Sequence, residues 1–170
     1  ELISLYTKAY KITKNELFKN IVIQTIKSTN KRFKNRENLY YSAIDADSKN
    51  QDQIKQEGFY YTYSYDDVKN LLLKQDIKNY EEVLKYLGFD DFGNFEEGLN
   101  NTNLSNELEK PKNSDKAITL LKEIRVKRNF PFIDKKIITS WNALMIKSIF
   151  EASIIDKKYL KQAEDSLASL

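Results

Sequence analysis

The stretch Leu39-Tyr40-Tyr41-Ser42-Ala43-Ile44-Asp45-Ala46-Asp47-Ser48 sets the reading of the whole chain, because a strand-like aromatic run leads directly into two carboxylates spaced by two residues. Ten residues on, Gly58-Phe59-Tyr60-Tyr61-Thr62-Tyr63 is a second aromatic run, again rich in the residue types that suit strands. The two runs predict a β-hairpin over about 39–63 with a long polar tip. Strand side chains repeat every two residues, so an extended continuation puts Asp45 and Asp47 on one face.

Around this stretch the pattern is helical. Leu2 to Lys11 carries apolar residues at helical spacing. Thr13-Lys14-Asn15-Glu16 reads as a capping box, opening a second helix whose apolar set includes Leu17, Phe18, Ile21, Val22 and Ile26. So short a link makes the two helices antiparallel neighbours. Ser64-Tyr65-Asp66-Asp67 caps a helix that should end near Gln75, and Asn79 starts a shorter one stopped by Gly88. Residues 89–113 are the most loop-like part. Helices are expected again over Ser114 to Arg128, over Lys136 to Ala152, and after Asp156. Aligning Ala9 with Ala152 superposes Thr13 on Asp156 and Leu17 on Leu160, so a helix, cap, helix unit recurs near each end. Stacked helical hairpins of this kind point to a solenoid or a closed (α/α) toroid.

Composition narrows the chemistry. At 170 residues and 41% hydrophobic content, the chain has the size and apolar material of one ordinary domain. Its 28 basic and 25 acidic residues nearly cancel and are spread along the chain, which makes no electrostatic case for nucleic acid. Cysteine and histidine are absent, removing disulfides, thiol chemistry, ordinary zinc sites and the commonest general base. Chemistry here falls to carboxylates, lysines, tyrosines or water. No phosphate-cradling glycine loop or nucleophile elbow occurs, and neither a metal nor a cofactor is expected. No apolar run has membrane-spanning length and no secretory leader is present, so the expectation is a cytoplasmic protein. Both ends lie inside apolar helical patterns, and the chain reads as an internal piece of a longer one.

From Tyr41-Ser42-Ala43-Ile44-Asp45-Ala46-Asp47-Ser48 and Glu57-Gly58-Phe59-Tyr60, through Leu87-Gly88, Gly93-Asn94-Phe95-Glu96, Arg125 and Arg128, to Asp134-Lys135-Lys136-Ile137-Ile138-Thr139-Ser140-Trp141-Asn142-Ala143-Leu144-Met145, the chain resembles a known family. It is similar to the YyaL-type thioredoxin domain-containing proteins, the spermatogenesis-associated protein 20 family. The resemblance implies a mainly α segment of a six-hairpin glycosidase-like (α/α) toroid, similar to N-acylglucosamine 2-epimerases, that follows a thioredoxin-like domain. Ile44 stands where the family usually has glutamate, Lys135 where it usually has a second aspartate, and Glu37-Asn38-Leu39 replaces a glycine-rich opening.

The residues allow more than one role. Asp45 and Asp47 suit an acid and base pair for sugar chemistry, or turn-capping carboxylates at a hairpin tip. An EF-hand is excluded, since neither frame supplies both the required glycine and glutamate. Trp141 offers a sugar-stacking wall or a core ring, and Asn142 beside it needs a partner for its amide. Tyr60, within the cluster Tyr40, Tyr41, Tyr60, Tyr61 and Tyr63, and Asn94, in the Gly93-Asn94 turn, are further candidates for substrate contact. Asp134 and Lys136 read as a mainly structural pair, and Arg125, Lys127 and Arg128 as a basic edge that suits an anionic group but is expected from the helix dipole alone. Two functions follow: binding, isomerising or hydrolysing a sugar derivative, or a non-catalytic scaffold working with the thioredoxin-like domain of the same parent chain.

Overall fold

The computed structural model of the chain describes residues 1–104 and 108–170, so the part of the loop-rich expectation that falls on 105–107 lies outside the described residues. The elements in chain order are α1 (Leu2–Thr13), α2 (Glu16–Phe33), β1 (Tyr41–Ile44), β2 (Asp47–Lys49), β3 (Lys55–Glu57), β4 (Thr62–Tyr63), α3 (Tyr65–Lys74), α4 (Tyr80–Tyr86), β5 (Asn100–Asn101), α5 (Ser114–Arg125), β6 (Ile133–Ile137), α6 (Thr139–Glu151) and α7 (Lys158–Ser169). The protein is mainly helical with a small β content. It divides into two compact units, Glu1–Ile44 with Ile133–Leu170, and Asp45–Phe132.

The first unit is built from two helical hairpins. Helix α1 packs on α2, α6 packs on α7, and α1 also packs on α6. Val22 and Ile26 of α2, Ile146 and Ile149 of α6, and Tyr159 and Ala163 of α7 share its core. Each fully buried aliphatic side chain there contributes about 1.5–3 kcal/mol. The first link differs in detail from the expected capping box. Thr13 ends α1 in helical conformation, so its hydroxyl donates back to the Ala9 carbonyl at 2.8 Å, and Lys14 turns the chain with φ 57°. The cap of α2 is Asn15, whose side chain accepts from the Leu17 amide at 2.9 Å. Glu16 instead pairs with Lys19. At the α6–α7 link the expected aspartate does bond the helix start, Asp156 accepting from the Lys158 amide at 3.0 Å.

Strand pairing departs from the predicted hairpin. β1 pairs antiparallel with β6, matching Tyr41 to Ile137 and Ile44 to Ile133, with a bulge between Tyr41 and Ala43. The aromatic runs of 39–43 and 58–63 are therefore not partners. Lys136 and Ile137, expected to open a helix, belong to this strand, and α6 starts at Thr139. The β-branched residues of 133–138 suit a strand as well as a helix start, and only the waiting edge of β1 decides between them.

In the second unit α3, α4 and α5 surround a core of Val68, Leu72, Val83, Leu84, Ala117 and Leu121. Ser64 caps α3 as expected, accepting from the Asp67 amide, and Gln75 ends it. Gly88 follows α4 with φ +74°, the left-handed conformation that closes a helix cheaply only for glycine. A hairpin does lie within 39–63, but it is short: β2 on β3, with Asp47 opposite Glu57. β4 pairs with β5, so the second aromatic run ends against the loop after α4.

Candidate functional site

The β2–β3 hairpin gathers the carboxylates. Asp45 is tied at the start of its unit by its amide, which donates to the Phe132 carbonyl at 2.8 Å. Its own Oδ1 accepts from the Asp47 amide at 3.2 Å, an Asx turn, and its Oδ2 lies 3.6 Å from Lys55 Nζ. Register partners on an antiparallel pair point to one face, so Asp47 and Glu57 stand side by side there. Gly58, with φ +66°, then bends the chain: its amide donates to the Ala46 carbonyl, and its own carbonyl accepts from the amides of Tyr61 and Thr62. Beside the hairpin this bend opens a cleft of about 390 Å³ lined by Glu57, Tyr61, Phe95 and Asn101 among others. A carboxylate, two rings and an amide face one open space. Among the described residues no group of three or more acidic side chains is placed to hold a metal ion.

Tyr60 and Asn94 belong to the same unit but serve its frame. Tyr60 is buried and meets Tyr61 and Phe130 edge-on, each at 4.9 Å between ring centroids. Asn94 donates to the Gly88 and Asn101 carbonyls and accepts from the Asn101 amide at 2.8 Å, so it positions a residue of the cleft while its amide is spent on backbone. Trp141 and Asn142 belong to the helical unit. The Trp141 ring is 53% exposed rather than part of a core. Asn142 is fully buried, and its amide closes on the backbone of one residue: Oδ1 accepts from the Tyr40 amide at 2.7 Å, and Nδ2 donates to the Tyr40 carbonyl at 2.9 Å. Nδ2 also donates to the Ile138 carbonyl at 3.2 Å, so both amide N–H groups are taken by backbone.

The basic edge after α5 does more than answer the helix dipole. Arg128 donates from Nη1 to the carbonyls of Phe59 and Thr62, both at 2.5 Å, with its guanidinium carbon 4.8 Å from the ring centres of Phe59 and Tyr63. Burial pushes its pKa down, although the tyrosine and Asp67 nearby oppose that. Arg125 lies 5.9 Å from the rings of Tyr60 and Tyr61. The second aromatic run is thus clamped by two arginines. Asp134 and Lys136 pair as expected, at 2.9 Å, and the Lys136 bonds hold the Asp134 carboxyl below the usual range.

Sequence reasoning missed Asn100, which repeats the Asn142 device: fully buried, it accepts from the Asp90 amide at 2.8 Å and donates to the Asp90 carbonyl at 3.0 Å. It also missed Glu57 as the neighbour of Asp47, which alternation with the second run would have revealed only once the register was known.

No family model matches the chain. Over 194 aligned positions it is 27% identical to Uncharacterized protein B0495.5 of Caenorhabditis elegans, an alignment covering 96% of this chain and 26% of that protein. The chain spans about a quarter of its relative's length. No described helix is long and apolar enough to cross a membrane.

Proposed function

We propose that this chain is a segment of an (α/α) toroid of the YyaL-type family, in a cytoplasmic parent that also carries a thioredoxin-like domain, and that it binds and processes a sugar derivative. The observation that carries this reading is the pairing of Asp47 with Glu57 beside a cleft walled by Tyr61 and Phe95. Rings supply stacking faces for a pyranose, and the Glu57 carboxylate and the Asn101 amide supply partners for its hydroxyls, with Asp47 the cross-strand neighbour of Glu57. Register partners hold their Cβ atoms about 4.5–5.5 Å apart. Two carboxyls on such neighbours fall in the separation range over which glycosidase-type acid and base pairs work. Two helical hairpins meeting through α1 and α6 are the packing that a toroid repeats, which supports the wider architecture.

The test is thermal-shift and calorimetric titration of a sugar and sugar-phosphate panel against the full-length parent, beside Asp47→Asn and Glu57→Gln. At least one sugar should stabilise the wild type, and each variant should weaken it by about 10–100-fold, the worth of one lost bond to a charged group. If no sugar stabilises the wild type, this reading is overturned.

A second reading, a non-catalytic scaffold for the thioredoxin-like domain, draws on a different observation. Both N–H groups of Asn142 and of Asn94 are taken by backbone carbonyls, while Trp141 and Leu144, one turn apart on α6, are each 53% exposed. On this reading Trp141→Ala weakens association of the thioredoxin-like domain, supplied separately, while sugars leave the melting temperature unmoved.

A further inference from the structure

The seam between α1 and α6 in the helical unit holds polar groups that the fold leaves unsatisfied. Ser4 Oγ donates to Ser148 Oγ at 3.0 Å and ties the helices together. One turn further along each helix stand Thr7 and Glu151, and there the seam opens into a pocket of about 310 Å³. Thr7 is only 2% exposed, yet its hydroxyl has no protein partner among the described residues. Thr13, Thr29 and Thr119 each donate to the carbonyl four residues back, at 2.8, 2.8 and 2.9 Å, the usual resort of a helical threonine. Thr7 makes no such bond. Glu151 faces Lys147 with Oε1 at 3.8 Å, while its Oε2 is buried without a partner. Glu151 is also the last residue of α6, where the helix dipole adds negative potential. This end of the pocket calls for a cationic donor.

The rest of the lining is different. Lys8 and Lys11, three residues apart on α1, bring two ammonium groups that form no ion pair among the described residues. Phe150 and Ile154, both more than half exposed, make an apolar wall. A lone cation would leave the lysines unanswered, an anion would confront Glu151, and a polyol would waste the apolar wall. We infer that this pocket binds a small zwitterion, an apolar α-amino acid, with its ammonium at the Glu151 carboxylate, whose side chain is a quarter exposed beside the sealed Thr7, its carboxylate toward Lys8 and Lys11, and its side chain against Phe150 and Ile154.

Calorimetric titration of the full-length protein with L-leucine, L-methionine and L-phenylalanine tests this, alongside leucinamide, which lacks the carboxylate, and 4-methylpentanoate, which lacks the amine. At least one amino acid should bind, and both truncated probes should bind at least tenfold more weakly than leucine. Glu151→Gln should weaken the amino acid at least tenfold. Lys11→Met, a change at an exposed position that spares the fold, should weaken leucine while leaving leucinamide unchanged. If no amino acid binds to wild type that melts cooperatively, or if Glu151→Gln binds as wild type does, the inference is overturned. Neither outcome bears on the sugar cleft, which shares no residue with this pocket.

Discussion

Asn142, Asn100 and Asn94 each turn a side-chain amide on both backbone groups of a single residue: Tyr40, Asp90 and Asn101 respectively. A primary amide carries the same donor and acceptor as a peptide group, so it stands in for a neighbouring strand where the chain offers none. At Tyr40 this satisfies the buried backbone just before β1. Asn142→Ala would leave that amide and carbonyl unpaired, each costing about 1–3 kcal/mol. Urea unfolding should show a midpoint lowered by the equivalent of roughly 2–6 kcal/mol with an unchanged slope. An unchanged midpoint would mean that the amide was never needed. Nothing in the sequence separates these three asparagines from the exposed ones of the loops, since the partner of each is chosen by tertiary approach. That Asn142 needed a partner was legible from its apolar surroundings; which partner was not.

Helices were the readable elements. Apolar spacing, the Ser64 cap and the Gly88 stop all act within a turn or two, and α3 and α4 end where those signals put them. The loop after α4 obeys a subtler rule. Gly93 has φ +84°, and a Cβ there would stand 2.3 Å from the Gly98 carbonyl carbon, a backbone atom that cannot swing aside. Gly98 has φ +69°, but a Cβ there meets only the Phe92 carbonyl oxygen at 3.6 Å. Gly98→Ala should therefore cost about 1 kcal/mol for the left-handed backbone alone, and Gly93→Ala distinctly more. Hydrogen exchange provides the measurement: Gly93→Ala should strip protection from the Asp90 and Asn101 amides, leaving the amides of α6 protected. Equal effects from the two alanines would show that the close approach is unimportant.

At the scale of the molecule, each unit carries a tyrosine sealed in its core, Tyr40 in the helical unit and Tyr63 in the other. Desolvation by burial raises both phenol pKa values, over the lowering effect of Gln162 and Ser166 on Tyr40 and of Arg125 and Arg128 on Tyr63. A group whose folded pKa lies above its unfolded value binds more protons in the folded state, so its contribution is whole below the unfolded pKa and is lost above it. Stability should hold through neutral pH and fall as pH rises past about 10, the unfolded tyrosine value. Denaturant midpoints measured across that range, with tyrosinate absorbance followed in parallel, check this. A midpoint flat into strong alkali would refute it.

The mainly helical class, the two terminal helical hairpins, the Ser64 cap and the Asp156 bond to the Lys158 amide were determined by residues close together in the chain, because helical, capping and turn hydrogen bonds close over a few residues. Tertiary structure alone decided that β1 takes β6 as partner with all of Asp45–Phe132 between them, that Asp47 faces Glu57, and that Asn142 closes on Tyr40. A strand edge or a buried amide accepts any partner of the right shape, so its choice is fixed only when the packing of whole elements brings one candidate within reach.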